Sequence, residues 1–213
     1  MKKRTILSGW VVILFAFSFR TMAADSSSQG LTFDGIDDMV GITSIPTGFN
    51  AEGGVEMVLK NPAIGASTYL LGGNTNSRTY LTVRENNTIK ATKGNPPMEL
   101  ISTKVLNDGK KHTISLFWKN GIAYYYVDGE FVASDSFSDT YIGNKLTLGR
   151  HTGSVGQHAK MELLEFRQWT VLRTTQQIQD SINAYVDPHE PGLSGEWRFT
   201  PYTTGKVYDL TGN

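Results

Sequence analysis

The chain has 213 residues, no cysteine, and 20 basic against 20 acidic side chains. Without cysteine it can form no disulfide bond and carry no lipid on a cysteine, so the fold must be held together by its core. It has neither the clustered positive charge that a nucleic-acid partner favours nor a polybasic run for an anionic membrane, so we expect neither partner.

The first 24 residues are predicted to be a secretory signal peptide. Residues 2–4 are basic, residues 6–19 are mostly apolar, and the small residues Ala23 and Ala24 follow. We expect cleavage near Ala24, which leaves a secreted (periplasmic or extracellular) chain with a net charge of about −4. No later segment approaches the roughly 18 apolar residues of a membrane span, so we expect no membrane insertion of the mature chain.

Residues 25–213 are predicted to form a single all-β domain. Short runs rich in β-branched and aromatic residues alternate with Gly, Asn and Asp, a pattern typical of an antiparallel β-sandwich. There is no tandem repeat that would divide the chain. The clearest runs are Leu31–Phe33, Val55–Leu59, Tyr80–Val83, His112–Trp118, Ile122–Val127 and Lys145–Leu148.

Two hairpins can be predicted with their register. Asn120-Gly121 and Asp128-Gly129 are dipeptides that favour two-residue type I′ turns, because both central residues need a positive φ. Strand alternation then places one set of side chains on a single face, which we expect to point into the sandwich core. That set is Ile114, Leu116, Trp118, Ala123, Tyr125, Val127 and Val132.

The opposite face of the same hairpins is unusually aromatic. It carries Phe117, Tyr124, Tyr126 and Phe131, with Lys119 beside them. Aromatic rings offer flat apolar surfaces to sugar C–H groups, so these five residues are our candidate ligand-binding site. The alternative is that a loop, a third small sheet or the helix covers this face and makes it a second small core.

One short helix is predicted near the C-terminus. Thr174 and Gln177 have the spacing of a capping box, in which each side chain bonds the backbone N–H of the other residue. Ile178 and Ile182 follow at i, i+4 and give the helix one narrow apolar stripe with which to dock on a sheet. The prolines from residue 188 onward end it.

Four segments together resemble the laminin-G-like domains of the concanavalin A-like lectin/glucanase jelly-roll family. The resemblance implies a jelly roll, and it includes lectins, pentraxins, glycan hydrolases and lyases, and adhesive modules. From the resemblance we also expect residues 193–199 to pair beside the N-terminal strand. The segments are Leu31–Val40, His112–Gly121 with Tyr126–Gly129, Glu165–Trp169 with Arg173-Thr174 and Gln177-Ile178, and Glu190–Phe199 with Asp209–Asn213.

Calcium is the candidate cofactor, because such relatives often bind it and it prefers oxygen ligands. Asp34, Asp37 and Asp38 fall in one turn, and Asp209 and Asn213 would approach them if the two ends of the domain meet. The alternative is an ordinary turn at Asp34-Gly35 with the other aspartates as caps.

Enzymatic signatures are weak. Glycoside hydrolysis needs two carboxylates on one strand face, but Glu162 and Glu165 are spaced i, i+3 and fall on opposite faces. Glu165 and Arg167 share a face as a lyase site would require, although a structural ion pair is the more ordinary interpretation. Four histidines without ligand spacing do not suggest zinc: His112, His151, His158 and His189.

We therefore expect a non-catalytic binding module that recognises a glycan or a cell-surface or extracellular protein, with calcium as an assisting ion. Two alternatives stay open. One is a structural or protein-interaction jelly roll without a sugar ligand. The other is a glycan-active hydrolase or lyase whose site the sequence does not reveal.

Overall fold

A computed structural model describes residues 30–43, 45–46, 49, 51–63, 68–73, 79–138, 145–151, 157–199 and 207–212. The signal peptide predicted for residues 1–24 and the candidate calcium ligand Asn213 lie outside the described residues. The described part is a two-sheet antiparallel β-sandwich with one short helix, which confirms the predicted fold class.

Short strands and tight connections make up nearly all of the described chain. The helix α1 (Thr175–Asp180) lies between the last two strands. In chain order the strands are β1 (Leu31–Asp34), β2 (Val40–Ile42), β3 (Glu52–Ala63), β4 (Thr68–Gly72), β5 (Tyr80–Val83), β6 (Ile89–Lys93), β7 (Met98–Ile101), β8 (Lys111–Lys119), β9 (Ile122–Val127), β10 (Glu130–Ser136), β11 (Leu146–Leu148), β12 (Lys160–Trp169) and β13 (Leu193–Arg198).

The strands form two sheets. Sheet A has the order β1-β12-β3-β8-β9-β10, and β13 also pairs with β12. Sheet B has the order β2-β11-β4-β5-β6-β7. The inner faces of the two sheets enclose one large apolar core that includes Trp118 and Trp197, so the main stabilisation comes from burial between the sheets.

Both predicted hairpins are present in the predicted register. Asn120 and Asp128 have φ values of 52° and 51°, the left-handed conformation that a type I′ turn requires. Phe117 faces Tyr124, and Phe131 faces Tyr126. The inward set is buried as predicted, except that a bulge follows Phe131 and leaves the next residue in β10 only partly buried.

The predicted pairing of residues 193–199 beside the N-terminal strand is wrong. β1 and β13 instead lie one after the other along the same edge of β12. Leu31 pairs with Leu163, and Arg198 pairs with Glu165 two residues further along. The long strand β12 therefore organises both ends of the described domain.

The capping box and the short helix are confirmed. The Thr174 hydroxyl accepts a hydrogen bond from the Gln177 N–H at 3.3 Å, and the Thr174 N–H donates to the Gln177 side-chain oxygen at 2.9 Å. Ile178 is buried against the outer face of sheet A. In the described part of the chain no helix has both the length and the apolar character needed to cross a bilayer.

Candidate functional site

The outer face of sheet A is covered at its centre. α1 and the segment after it lie on this face and form a second core of Phe117, Tyr126, Trp169, Ile178, Val186 and Leu193. Phe117 is fully buried and Tyr126 is 6% exposed, so neither ring offers a face to a ligand. The alternative interpretation, a second small core, therefore holds for these two members of the predicted ligand-binding set.

The remaining members of that set lie around the rim of the second core. Phe131 is 54% exposed and its ring packs edge-on against Tyr126 at 5.5 Å. Tyr124 is half-buried beside the second core. The Lys119 ammonium donates to a carboxylate oxygen of Glu52 at 3.0 Å, which gives it a structural role at the end of β8. A ligand contact at Phe131, Tyr124 or Lys119 stays a prediction.

Beneath the helix lies a group of charged side chains that we call the buried ionic cluster. Its centre is Glu56, which is fully buried and accepts from the Trp169 indole N–H at 2.8 Å and the Ser115 hydroxyl at 3.0 Å. Buried charges need partners of the opposite sign, and glutamates and arginines alternate here. The members are Glu56, Glu165, Arg167, Arg173, Glu196 and Arg198.

Glu165 and Arg167 form a bidentate ion pair inside this cluster. The Arg167 Nε and Nη2 donate to the two Glu165 oxygens at 2.7 and 2.9 Å. On the other side of Glu165 lies Glu196, whose pKa is raised to about 7 by burial and by its hydrogen bond to Glu165. Arg198 partly offsets this through a hydrogen bond of 2.7 Å to Glu196.

The three glutamates of the cluster share one face of sheet A, which is the arrangement that acid–base catalysis on a strand would need. Sequence spacing misses it because Glu165 and Glu196 are diagonal neighbours on two different strands. Glu56 and Glu196 are fully buried and Glu165 nearly so. The helix thus closes this face to a substrate, and the carboxylates serve to hold α1 and β13 on sheet A.

The predicted calcium ligands lie in two separate parts of the structure. Asp34, Asp37 and Asp38 form what we call the acidic turn, and their carboxylate oxygens lie within 4.8 Å of one another. The Asp34 N–H donates to Asp38 at 2.8 Å, and the Ile36 N–H donates to Asp34 at 2.7 Å. Burial raises the pKa of Asp38, and the nearby Asp34 carboxylate adds to this.

Asp209 does not join the acidic turn. One of its oxygens accepts from the Glu196 N–H at 3.0 Å and from the Thr211 hydroxyl at 2.8 Å, which makes it a turn residue beside β13. Glu196 lies opposite Arg167, whereas Asp34 lies opposite Lys160 at the other end of β12. At about 3.3 Å per residue the two places are roughly 20 Å apart. The two chain ends meet β12 at different points, which is why the prediction for Asp209 is wrong.

The outer face of sheet B, which we call the sheet B face, carries a different set of side chains. The helix lies on the other sheet, so it does not cover this face. Alternation in β5 points Leu81 and Val83 into the core and leaves Tyr80 and Thr82 partly exposed on the outside. Two rows cross the face: Gly41, Thr147, Gly72, Tyr80, Thr92 and Glu99, then Tyr69, Thr82, Lys90 and Ile101.

Three rings meet on this face in what we call the tyrosine–histidine cluster: Tyr69, Tyr80 and His151. The Tyr69 ring lies 5.4 Å from Tyr80 and 4.8 Å from His151, both edge-on. The His151 Nε2 is 3.2 Å from the Tyr80 hydroxyl. Burial, followed by the charge of Arg150, lowers the pKa of His151. The cluster therefore combines partly exposed apolar rings with a neutral polar imidazole near pH 7.

The acidic turn and the tyrosine–histidine cluster lie at the same end of the sandwich. Arg150 donates from Nε to the His151 carbonyl at 3.1 Å and from Nη1 to the Met39 sulfur at 3.4 Å. Met39 directly follows Asp38, whose carbonyl lies 3.2 Å from the His158 ring nitrogen. A ligand on this end of the sheet B face would therefore lie near the acidic turn.

Comparison with known proteins finds similarity among solved structures. No family model matches the chain, and no curated protein matches it. Among solved structures it is similar to a candidate carbohydrate-binding protein from Bacteroides ovatus, with a TM-score of 0.66 and 18% identity over 86% of this chain and 56% of that one. The chain thus spans little more than half of the length of that protein.

Two further structures show the same architecture. One is a heptameric SAP-like pentraxin from Limulus polyphemus, with a TM-score of 0.57 and 14% identity over 70% of this chain and 78% of that one. The other is the binding domain of botulinum neurotoxin serotype D, with a TM-score of 0.58 and 13% identity over 72% of this chain and 42% of that one. At these identities the similarity shows the fold alone, a jelly roll of the lectin-like kind.

Proposed function

We propose that the chain is a secreted, non-catalytic module of the laminin-G-like kind that binds a glycan on the sheet B face, assisted by calcium in the acidic turn. The observation that carries the proposal is the tyrosine–histidine cluster. It places two partly exposed tyrosine rings on the sheet that the helix leaves uncovered. On the outer face of sheet A, by contrast, Phe117 and Tyr126 are buried in the second core.

The chemistry of this face suits a sugar. A pyranose has an apolar C–H face and a rim of hydroxyl groups, so it is bound by aromatic rings with polar groups beside them. Tyr69 and Tyr80 supply the rings. Thr82 and the ion-paired Lys90 and Glu99, whose charged atoms are 2.7 Å apart, supply hydroxyl, ammonium and carboxylate partners in the neighbouring rows.

The comparisons support a binding function in general but not a particular ligand, because proteins with one fold have many functions. The Bacteroides protein is a candidate carbohydrate-binding protein, and the neurotoxin fragments are binding domains. One such domain, from botulinum neurotoxin DC, is described in complex with rat synaptotagmin II. The names of the Bacteroides protein and the neurotoxin fragments describe binding, whereas two further similar structures, at a TM-score of 0.57, are Trypanosoma rangeli sialidases of which this chain covers less than a third.

A protein partner is the second candidate, and one specific observation favours it. Large apolar side chains are exposed on and around the segments that flank β13: Tyr185 is 67% exposed, Tyr208 58% and Leu210 40%. Exposed aromatic residues of this kind are enriched in protein interfaces. A module that uses this surface would bind a protein without a sugar.

Glycan binding is tested on an array with the mature chain and three variants. No described atom lies within 4 Å of the position that a Cβ at Gly41 would take, so Gly41→Leu should fold normally and obstruct the sheet B face. Tyr80→Ala removes one ring. We expect Tyr80→Ala to weaken array binding about tenfold, as the loss of one aromatic contact implies, and Gly41→Leu to weaken the binding of a ligand long enough to extend along the row from Tyr80 to Gly41.

Phe131→Ala is the matched control, because Phe131 is an exposed ring on the other sheet. It should leave array binding unchanged. Loss of binding in Phe131→Ala with none in Tyr80→Ala would move the site to the rim of sheet A. An array on which the unmodified chain binds nothing would instead favour the protein-interaction alternative.

Calcium is tested by thermal unfolding. A ligand that binds only the native state raises the free energy of unfolding by RT ln(1 + [L]/Kd). This is about 2.7 kcal/mol at a calcium concentration of 100 times Kd. We expect a higher Tm with calcium, reversal by chelator, and no calcium effect in Asp37→Asn. A melting curve of the unmodified chain that neither calcium nor chelator shifts would remove the ion from the proposal.

A further inference from the structure

Arg150 stands apart from the other partly or fully buried arginines of the described chain. Arg167, Arg173 and Arg198 each lie within 4 Å of a glutamate carboxylate oxygen in the buried ionic cluster. Arg150 is half-buried, yet its hydrogen bonds go to a backbone carbonyl and to a thioether. Within the part of the chain that the structure describes, no carboxylate lies at ion-pair distance from it.

The two contacts of Arg150 fix its position without neutralising its charge. A guanidinium has five N–H donors arranged as a planar fork, and a thioether sulfur is only a weak acceptor. The bond to the His151 carbonyl uses the Nε donor, and the bond to Met39 uses one donor of Nη1. Among the described residues no further acceptor is bonded to Nη1 or Nη2, so their remaining donors can bind an external carboxylate or sulfate.

Among the described residues, Arg150 lies between the start of β2 on one side and a group of aromatic rings on the other. Met39 leads directly into β2, where Gly41 has no described atom within 4 Å of the place of a Cβ. On the opposite side lies His151, whose ring contacts Tyr69 and Tyr80. A sugar lying on the tyrosine–histidine cluster would thus have its substituents within reach of the guanidinium.

We infer that the glycan bound on the sheet B face is acidic, with the carboxylate or sulfate of one sugar residue paired to Arg150. This inference rests on the proposed function and names its ligand class. The other charges on the face do not supply the pairing, because Lys90 is already bonded to Glu99 at 2.7 Å. The acidic turn at the same end would repel an anion, so calcium in that turn should favour the acidic ligand.

The experiment is a calorimetric titration in calcium buffer with three forms of one oligosaccharide: a uronic-acid oligosaccharide, its carboxyl-reduced neutral form, and a sulfated neutral form. Binding of the first form tests carboxylate pairing, and binding of the third tests sulfate pairing. We expect at least one anionic form to bind about tenfold or more tightly than the neutral form, the effect of one charge-assisted contact.

Arg150→Gln should abolish that preference and leave the affinity for the neutral form unchanged. Arg150→Lys keeps the positive charge and should retain part of the preference for the anionic form. Arg84→Gln, which removes an exposed arginine from the turn between β5 and β6, is the charge-matched control and should behave as the unmodified chain. Thermal melts of all variants identify any that fail to fold.

Two results distinguish a failure of the acidic-ligand inference from a failure of the proposed function. If glycans bind but the anionic forms show no preference, or the preference survives in a folded Arg150→Gln, the acidic-ligand inference is overturned while the proposed function stands. If no form binds at any concentration, and the array is also blank, the proposed function itself fails.

Discussion

Replacing Glu56 by Gln is expected to lower the free energy of unfolding by about 3–5 kcal/mol, because it leaves buried arginine charge without its counter-charge. The Glu56 carboxylate has no exposed surface and lies 3.4 Å from Arg173 and 3.6 Å from Arg167. Both arginines and the Trp169 indole face the same Glu56 oxygen, which the amide oxygen of Gln can replace as an acceptor, but a neutral amide supplies no counter-charge to the arginines. Urea or guanidinium unfolding of the mature chain measures the loss.

Glu99→Gln is the matched control for this prediction. Glu99 also forms an ion pair, with Lys90 at 2.7 Å, but its side chain is 47% exposed to solvent. Exposed pairs contribute at most about 1 kcal/mol, so the control should lose little stability. Equal small losses in the two variants would mean that the buried ionic cluster does not hold the helix side of sheet A together.

Stability is expected to fall as the pH rises through neutrality, because of Glu196. Its folded-state pKa is raised to about 7, above the ordinary value of 4.5, so the native state binds a proton that the unfolded state releases. The stabilising contribution is complete below pH 4.5 and is lost as the pH passes 7. At 1.36 kcal/mol per pKa unit the loss between pH 5 and pH 8 is about 2–3 kcal/mol.

Glu196→Gln isolates this effect, because the amide resembles the neutral acid at every pH. The difference in unfolding free energy between the variant and the unmodified chain should shift in favour of the variant from pH 5 to pH 8. The contribution of His151 to the pH dependence of stability has the opposite sign, because its lowered pKa favours the folded state as the pH rises. His151 is present in both proteins, so its contribution cancels in the difference. A difference that does not change with pH would contradict the raised pKa of Glu196.

The parts of the fold that the sequence predicts are those fixed by neighbouring residues. Asn120-Gly121 and Asp128-Gly129 determine their own turn type, and the two turns determine the register of β8, β9 and β10. The capping box at Thr174 likewise depends on a residue only three positions away. Local rules suffice in these places because every determinant lies within a few residues of its effect.

The location of the candidate site follows from long-range pairing and could not be predicted in the same way. The apolar stripe of α1 shows that the helix docks, but it does not show that it docks over Phe117. Tyr69, Tyr80 and His151 come from separate segments whose neighbours are set by the strand order of sheet B. Alternation in β5 does mark Tyr80 as outward-facing, and this was the available signal.

The central position of β12 also has a kinetic consequence. Leu163 pairs with Leu31 on one side and with Leu59 on the other, partners that precede it by more than one hundred residues. Contacts of such high sequence separation carry a large loop-closure cost and slow folding to milliseconds or seconds. Sheet A can therefore close only after most of the polypeptide has been synthesised, and β3 keeps one unpaired edge until then.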